Sequence, residues 1–186
     1  MVAIALPKLA VSALQVAGPI FAVGMQAAAL DTARSIFVKK STGELSALPF
    51  ISLFTNCLIW SFYGFLVKDM SVLYPNALGV FAGLFSAFIF QMFTPKGSTP
   101  LKEYGASLSA ILVASHFFIQ KRADFVGYIG CALAVILMGS PLATLKTVIA
   151  NKSTDSLPLS TSVVTFFNAL SWTLYGLLVA GDKMVN

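Results

Sequence analysis

The side chains of this chain whose types and spacing could handle a ligand are aromatic and amide groups: Trp60 and Trp172, Tyr63 and Tyr175, and the asparagines Asn76 and Asn168. An amide carries two donors and an acceptor. An indole offers a flat apolar face and one N–H. Each type also has an ordinary use in a helical protein, since asparagine bonds helix to helix and tryptophan and tyrosine gather in aromatic belts. What sets these residues apart is recurrence, because Asn56, Trp60 and Tyr63 reappear 112 positions later as Asn168, Trp172 and Tyr175. The sequence shows no nucleophile beside a base, no metal-ligand spacing and no phosphate loop, so no enzyme, metal or cofactor is expected. Cys57 and Cys131 are isolated in apolar segments and form no disulfide framework.

The elements that must carry these groups follow from composition. Apolar residues make up 58% of the 186 positions and charged residues only 10%, against roughly 25% charged in soluble domains. Nearly uncharged stretches run about Leu9 to Leu30, Leu45 to Val67, Ser71 to Phe93, Tyr104 to Ile119, Phe125 to Leu145 and Leu157 to Ala180. With about 20 residues needed per crossing, the reading is an all-α transmembrane bundle of about six helices. The fourth stretch is the shortest and contains His116. A signal peptide is the alternative reading of the first stretch, but its apolar run exceeds the usual h-region of about 7 to 15 residues.

The net charge of +5 comes from lysines and arginines at segment ends, with no run dense enough for nucleic acid. Arg34, Lys39, Lys40, Lys96, Lys102, Lys146 and Lys152 fall on one side of the six crossings; Lys8, Lys68, Lys121, Arg122 and Lys183 fall on the other. The more basic side is expected to be cytoplasmic, which puts the amino terminus outside and leaves the sequon at Asn151 unglycosylated. Asp31, one turn from Arg34, is expected to form a local ion pair. His116 sits on the fourth stretch, away from the repeat, and proton coupling is not expected from either residue.

The repeat is the strongest signal. A shift of 112 aligns KSTGELSALPFISLFTNCLIWSFYGFLV, Lys40 to Val67, with KSTDSLPLSTSVVTFFNALSWTLYGLLV, Lys152 to Val179, and 12 of the 28 positions are identical. The aligned segments lie four crossings apart and so run in the same direction. Two parallel three-helix repeats joined by a linker helix give that arrangement: a first unit over 1–100, a linker over 101–120 and a second unit over 121–186. The shift pairs the third span with a segment beginning at Lys183, so the second unit is expected to be truncated.

KSTGELSALP with NCLIWSFYG, then YPNALG, then GSPLATLKTVIANKSTDSLP and NALSWTLYG together resemble the SWEET sugar transporter family, over most of the chain. Parallel transporter repeats of this kind are described for that family. The resemblance implies facilitative, bidirectional sugar transport by alternating access at the plasma membrane or an internal membrane. It implies hinge prolines at Pro49, Pro141 and Pro158, with Ala29 where a fourth would stand. Substrate-binding positions are Asn76, Asn168, Trp60 and Trp172. Asn76 would bond a sugar hydroxyl, or else another helix; unpaired in an apolar core it would cost about 2 to 7 kcal/mol. Two indoles would narrow the cavity and favour a monosaccharide. Tyr63 and Tyr175 are gate candidates or belt residues, and Gly79, Gly83 and Ala87 form a small-residue packing stripe on the third span. The partners implied are a sugar, the lipid bilayer and a second copy in a homo-oligomer. The rival expectation is a non-transporting membrane subunit or inactive fragment.

Overall fold

The computed structural model describes residues 8–43, 45–136 and 159–178, which form six helices and no strand. They are α1 (Lys8–Lys39), α2 (Leu48–Val67), α3 (Met70–Met92), α4 (Leu101–Ile119), α5 (Ala123–Ile136) and α6 (Leu159–Leu178). Among the described residues, three helices are long and apolar enough to cross a bilayer: Ser12–Lys39, Leu48–Val67 and Met70–Met92. Shorter apolar runs occupy α5 and the end of α6.

α1 is longer than its apolar run. Its 32 residues span about 48 Å at 1.5 Å per residue, more than the roughly 30 Å of a bilayer's hydrocarbon, and the helix runs on past Leu30 to Lys39. Hydropathy reports where apolar residues end, whereas the helix ends where the backbone leaves helical geometry, and it continues through Pro19. The breaker is Lys40, which sits in the left-handed region at φ 56°. Lys68 and Lys121 do the same at φ 57° and 58° after α2 and α4. A cation at a helix carboxyl end also meets the negative end of the macrodipole. On this long helix Asp31 and Arg34 are both exposed. The expected ion pair between them is not formed: Arg122 with Asp124 is the single ion pair among the described residues, at 2.9 Å. A pair in water gains too little to hold two side chains in one geometry.

α2 starts with proline in its first turn, where the missing N–H costs nothing. α3 is capped by Asp69, whose Oδ1 accepts from the Ser71 N–H at 3.0 Å. α3 lies between α1 and α2, and α4 packs on α2. Gly83 makes the α2–α3 approach possible, because a methyl carbon built on it would lie 2.5 Å from the Phe54 nitrogen. Gly79 likewise meets Cys57 and Gln26. Buried polar groups tie α1 to α3: Gln26 Nε2 donates to the Pro75 carbonyl at 2.8 Å, and Ser86 Oγ donates to the Ala29 carbonyl at 3.4 Å. The opposite face of α3 exposes Tyr74, Leu78, Phe81, Phe85 and Phe88, a helical stripe suited to lipid.

Two apolar cores divide the bundle. One joins α1, α2 and α3 through Ala33, Ile36, Phe50, Ile51, Ala87 and Phe90. The other gathers Ile59, Tyr63, Val72, Ala114, Val126 and Tyr175, and so brings α2 and α3 together with α4, α5 and α6.

Candidate functional site

The second core holds most of the repeated aromatic groups. Trp60 and Tyr63 meet edge to face at 5.5 Å and 81°, and Trp172 and Tyr175 do so at 5.7 Å and 79°. The two repeats thus fold the same W-x-x-Y turn into the same local geometry, because residues three apart share one helix face. Each indole then packs across the repeats. Trp172 of α6 lies on Gly18 of α1, and Trp60 of α2 lies on Gly130 of α5. Gly18 and Gly130 are themselves 112 positions apart. The contacts are therefore reciprocal.

Asn56 and Asn168 precede the tryptophans by one helical turn. The Oδ1 atom of each is buried and accepts no hydrogen bond among the described residues. A buried acceptor left unpaired costs about 1 to 3 kcal/mol, and here the same deficit appears at two repeat-related positions. Asn76 is half-buried on α3, directly after Pro75, and its Nδ2 donates to the Val72 carbonyl of its own helix at 2.8 Å. This is neither the expected bond to another helix nor an unpaired amide. Proline at 75 has no N–H, so this part of α3 has fewer backbone donors.

Tyr63 and Tyr175 are both buried, at 8% and 6% exposure. The Tyr175 hydroxyl donates to Asp69 Oδ2 at 2.7 Å, linking α6 to the cap of α3. Pro49 lies exposed in the first turn of α2, while Pro141 and Pro158 lie outside the described residues. At Ala29 the helix runs on unbroken. A cavity of about 480 Å³ lies beside Leu45–Ala47, Phe90 and Ser98–Glu103, and another of about 360 Å³ beside Ser35, Ile36, Lys39 and Ser41–Gly43. Neither touches the tryptophans; both are grooves beneath connecting loops. Three residues were not singled out from sequence: Gly18, Gly130 and Asp69. Extending the 112-residue shift upstream of Lys40 would have found the glycines, since both fall in register there.

The family model described as "Sugar efflux transporter for intercellular exchange" matches residues 12–98 and 124–186. The chain belongs to that family, the SWEET transporters. The two matched stretches flank α4. The chain is 33% identical over 173 residues to "Bidirectional sugar transporter SWEET2" of Arabidopsis thaliana, covering 87% of this chain and 73% of that protein. It is 30% identical over 154 residues to "Sugar transporter SWEET1" of Drosophila pseudoobscura pseudoobscura, covering 79% and 68% respectively. A solved structure, "The 3.7 A resolution structure of a eukaryotic SWEET transporter", superposes with a TM-score of 0.77 at 29% identity, over 95% of this chain and 87% of that one. This SWEET chain is accordingly an integral membrane protein with the family's all-helical fold, in a family of sugar transporters and not of enzymes.

Proposed function

We propose that the chain carries sugars down their gradient in either direction by alternating access, and that it favours monosaccharides. The observation carrying this reading is the repeat-related set of Asn56, Trp60, Asn168 and Trp172. It offers two indoles packed across the repeats and, one helical turn before each, an amide oxygen that is buried and accepts no hydrogen bond among the described residues. A sugar has hydroxyls to donate to such acceptors and C–H faces to lie against indole. Family membership and the names of the relatives point to the same substrate class.

In this reading Asn76 joins Asn168, Trp60 and Trp172 in binding the sugar, exchanging its bond to the Val72 carbonyl for one to a hydroxyl. Tyr63 and Tyr175 form the gate, and the Tyr175–Asp69 hydrogen bond is the group that holds it shut. The first unit (1–100) and the second (121–186) rock about the linker (101–120), with Pro49, Pro141 and Pro158 as hinges. Proline removes a helix hydrogen bond and so lowers the resistance to bending. The working form is a homo-oligomer in the plasma membrane or an internal membrane.

The test is uptake of radiolabelled glucose into cells unable to import hexose, for the chain and for its Asn76→Ala and Trp172→Ala variants. Entry that falls about tenfold or more in either variant, the loss of roughly one hydrogen bond's free energy, supports the reading. No entry with confirmed membrane insertion would instead favour a non-transporting subunit.

A further inference from the structure

We propose that Gly18 and Gly130 are positioning residues that seat the two indoles and thereby set the clearance available to the sugar, an inference resting on the transport reading above. A methyl carbon built on Gly18 would lie 3.0 Å from Trp172 Cε2, 3.1 Å from Cδ2 and 3.2 Å from Cζ2. Built on Gly130, it would lie 3.0 Å from Trp60 Cε2, 3.2 Å from Cζ2 and 3.3 Å from Nε1. In both cases the three atoms are one ring atom and two bonded neighbours at nearly equal distances. That is the geometry of a point above the ring face, not beside its edge. Each indole lies flat on the bare backbone of the other repeat.

A methyl on either glycine would sit closer to its indole than the about 3.5 to 4.0 Å at which carbon atoms rest, so the ring would have to give by a few tenths of an ångström. Packed interiors do not absorb such a shift without moving neighbours. The neighbour at stake is the tyrosine that meets the ring edge on. Because the ring faces belong to one repeat and the glycines to the other, this contact fixes the two units relative to one another as well as the rings. Gly24, on the same helix as Gly18, has open space where a methyl would go. It supplies a control for a methyl added to α1 without the contact; Gly18 also precedes Pro19, where a side chain disfavours helical backbone, and the Trp172→Phe background below separates that effect from the contact.

Trp60 and Trp172 are the two tryptophans of the chain, which gives a readout independent of transport. In purified protein carrying Trp60→Phe, the change Gly18→Ala is expected to shift the emission of Trp172, while Gly130→Ala leaves it in place. In Trp172→Phe protein the pattern reverses. For glucose entry, Gly18→Ala and Gly130→Ala are each expected to raise KM by about three- to tenfold with less effect on the maximal rate, and Gly24→Ala to match the parent. In the Trp172→Phe background the effect of Gly18→Ala disappears, since the smaller ring leaves room for the methyl; the same double variant recovers folded protein should the single one lose it. Unshifted emission, or a Gly18→Ala effect that survives Trp172→Phe, would overturn the proposal. A parent chain that carries no glucose, with the emission shifts as stated, would count against the transport reading and leave the seating of the rings intact.

Discussion

The Tyr175 hydroxyl and the Asp69 carboxylate meet at 2.7 Å across 106 positions of the chain, and the other oxygen of the same carboxylate caps α3 through the Ser71 N–H. Asp69 therefore holds a helix together and ties α6 to it. Tyr175→Phe should remove only the tie, at about 1.5 to 3 kcal/mol for a bond to a carboxylate. Asp69→Ala should also lose the cap, about 0.5 to 2 kcal/mol more. Thermal unfolding in detergent micelles is expected to rank parent, Tyr175→Phe and Asp69→Ala in falling order; equal melting of the two variants would deny Asp69 its capping role.

Gly83 sets how closely α2 and α3 approach, since an added methyl would strike the Phe54 backbone. Backbone cannot rotate away as a side chain can. Gly83→Ala is expected to destabilise by about 1 to 3 kcal/mol. Gly105→Ala, where nothing lies within 4 Å, should stabilise slightly or change nothing, as alanine is the better helix former. Melting curves of the two variants decide it, and a tolerated Gly83→Ala would mean that the helices sit further apart.

Gln26 is the buried polar anchor of α1 on α3. Gln26→Leu gives up its bond to the Pro75 carbonyl and should lower stability by about 1 kcal/mol. Thr32 bonds only within its own helix, to the Ala28 carbonyl. Thr32→Val should leave the melting temperature unchanged, and a loss as large as that of Gln26→Leu would assign the effect to α1 helicity instead.

Clearance between the indoles should govern substrate size. Removing a ring by Trp60→Ala or Trp172→Ala is expected to lower glucose entry while raising sucrose entry relative to it. Competition uptake with both labelled sugars reads the ratio. Efficient sucrose entry by the parent chain would remove the size argument altogether.

Much of the site could be read along the chain. Spacing alone paired Asn56 with Asn168, Trp60 with Trp172 and Tyr63 with Tyr175, because a duplicated unit repeats its side chains in register wherever the fold repeats its contacts. The crossings were legible for a different reason, since apolar residues must cluster over the thickness of a bilayer whatever they pack against. Asp69 was not legible as a partner of Tyr175, as a helix cap and a tie to another helix look alike in sequence. Nor was the exposed pair of Asp31 and Arg34 any guide, because spacing permits an ion pair without stabilising it in water.

Sequence by itself determined the six apolar helices, the parallel repeat and the family, all of which depend on residue types and their order. Tertiary structure decided which residues touch: Trp172 on Gly18, Trp60 on Gly130, Tyr175 on Asp69. A repeat states that two segments adopt the same shape, but it does not state how the two copies face each other. That depends on where two helix surfaces leave room for a flat ring, which only the packed bundle specifies.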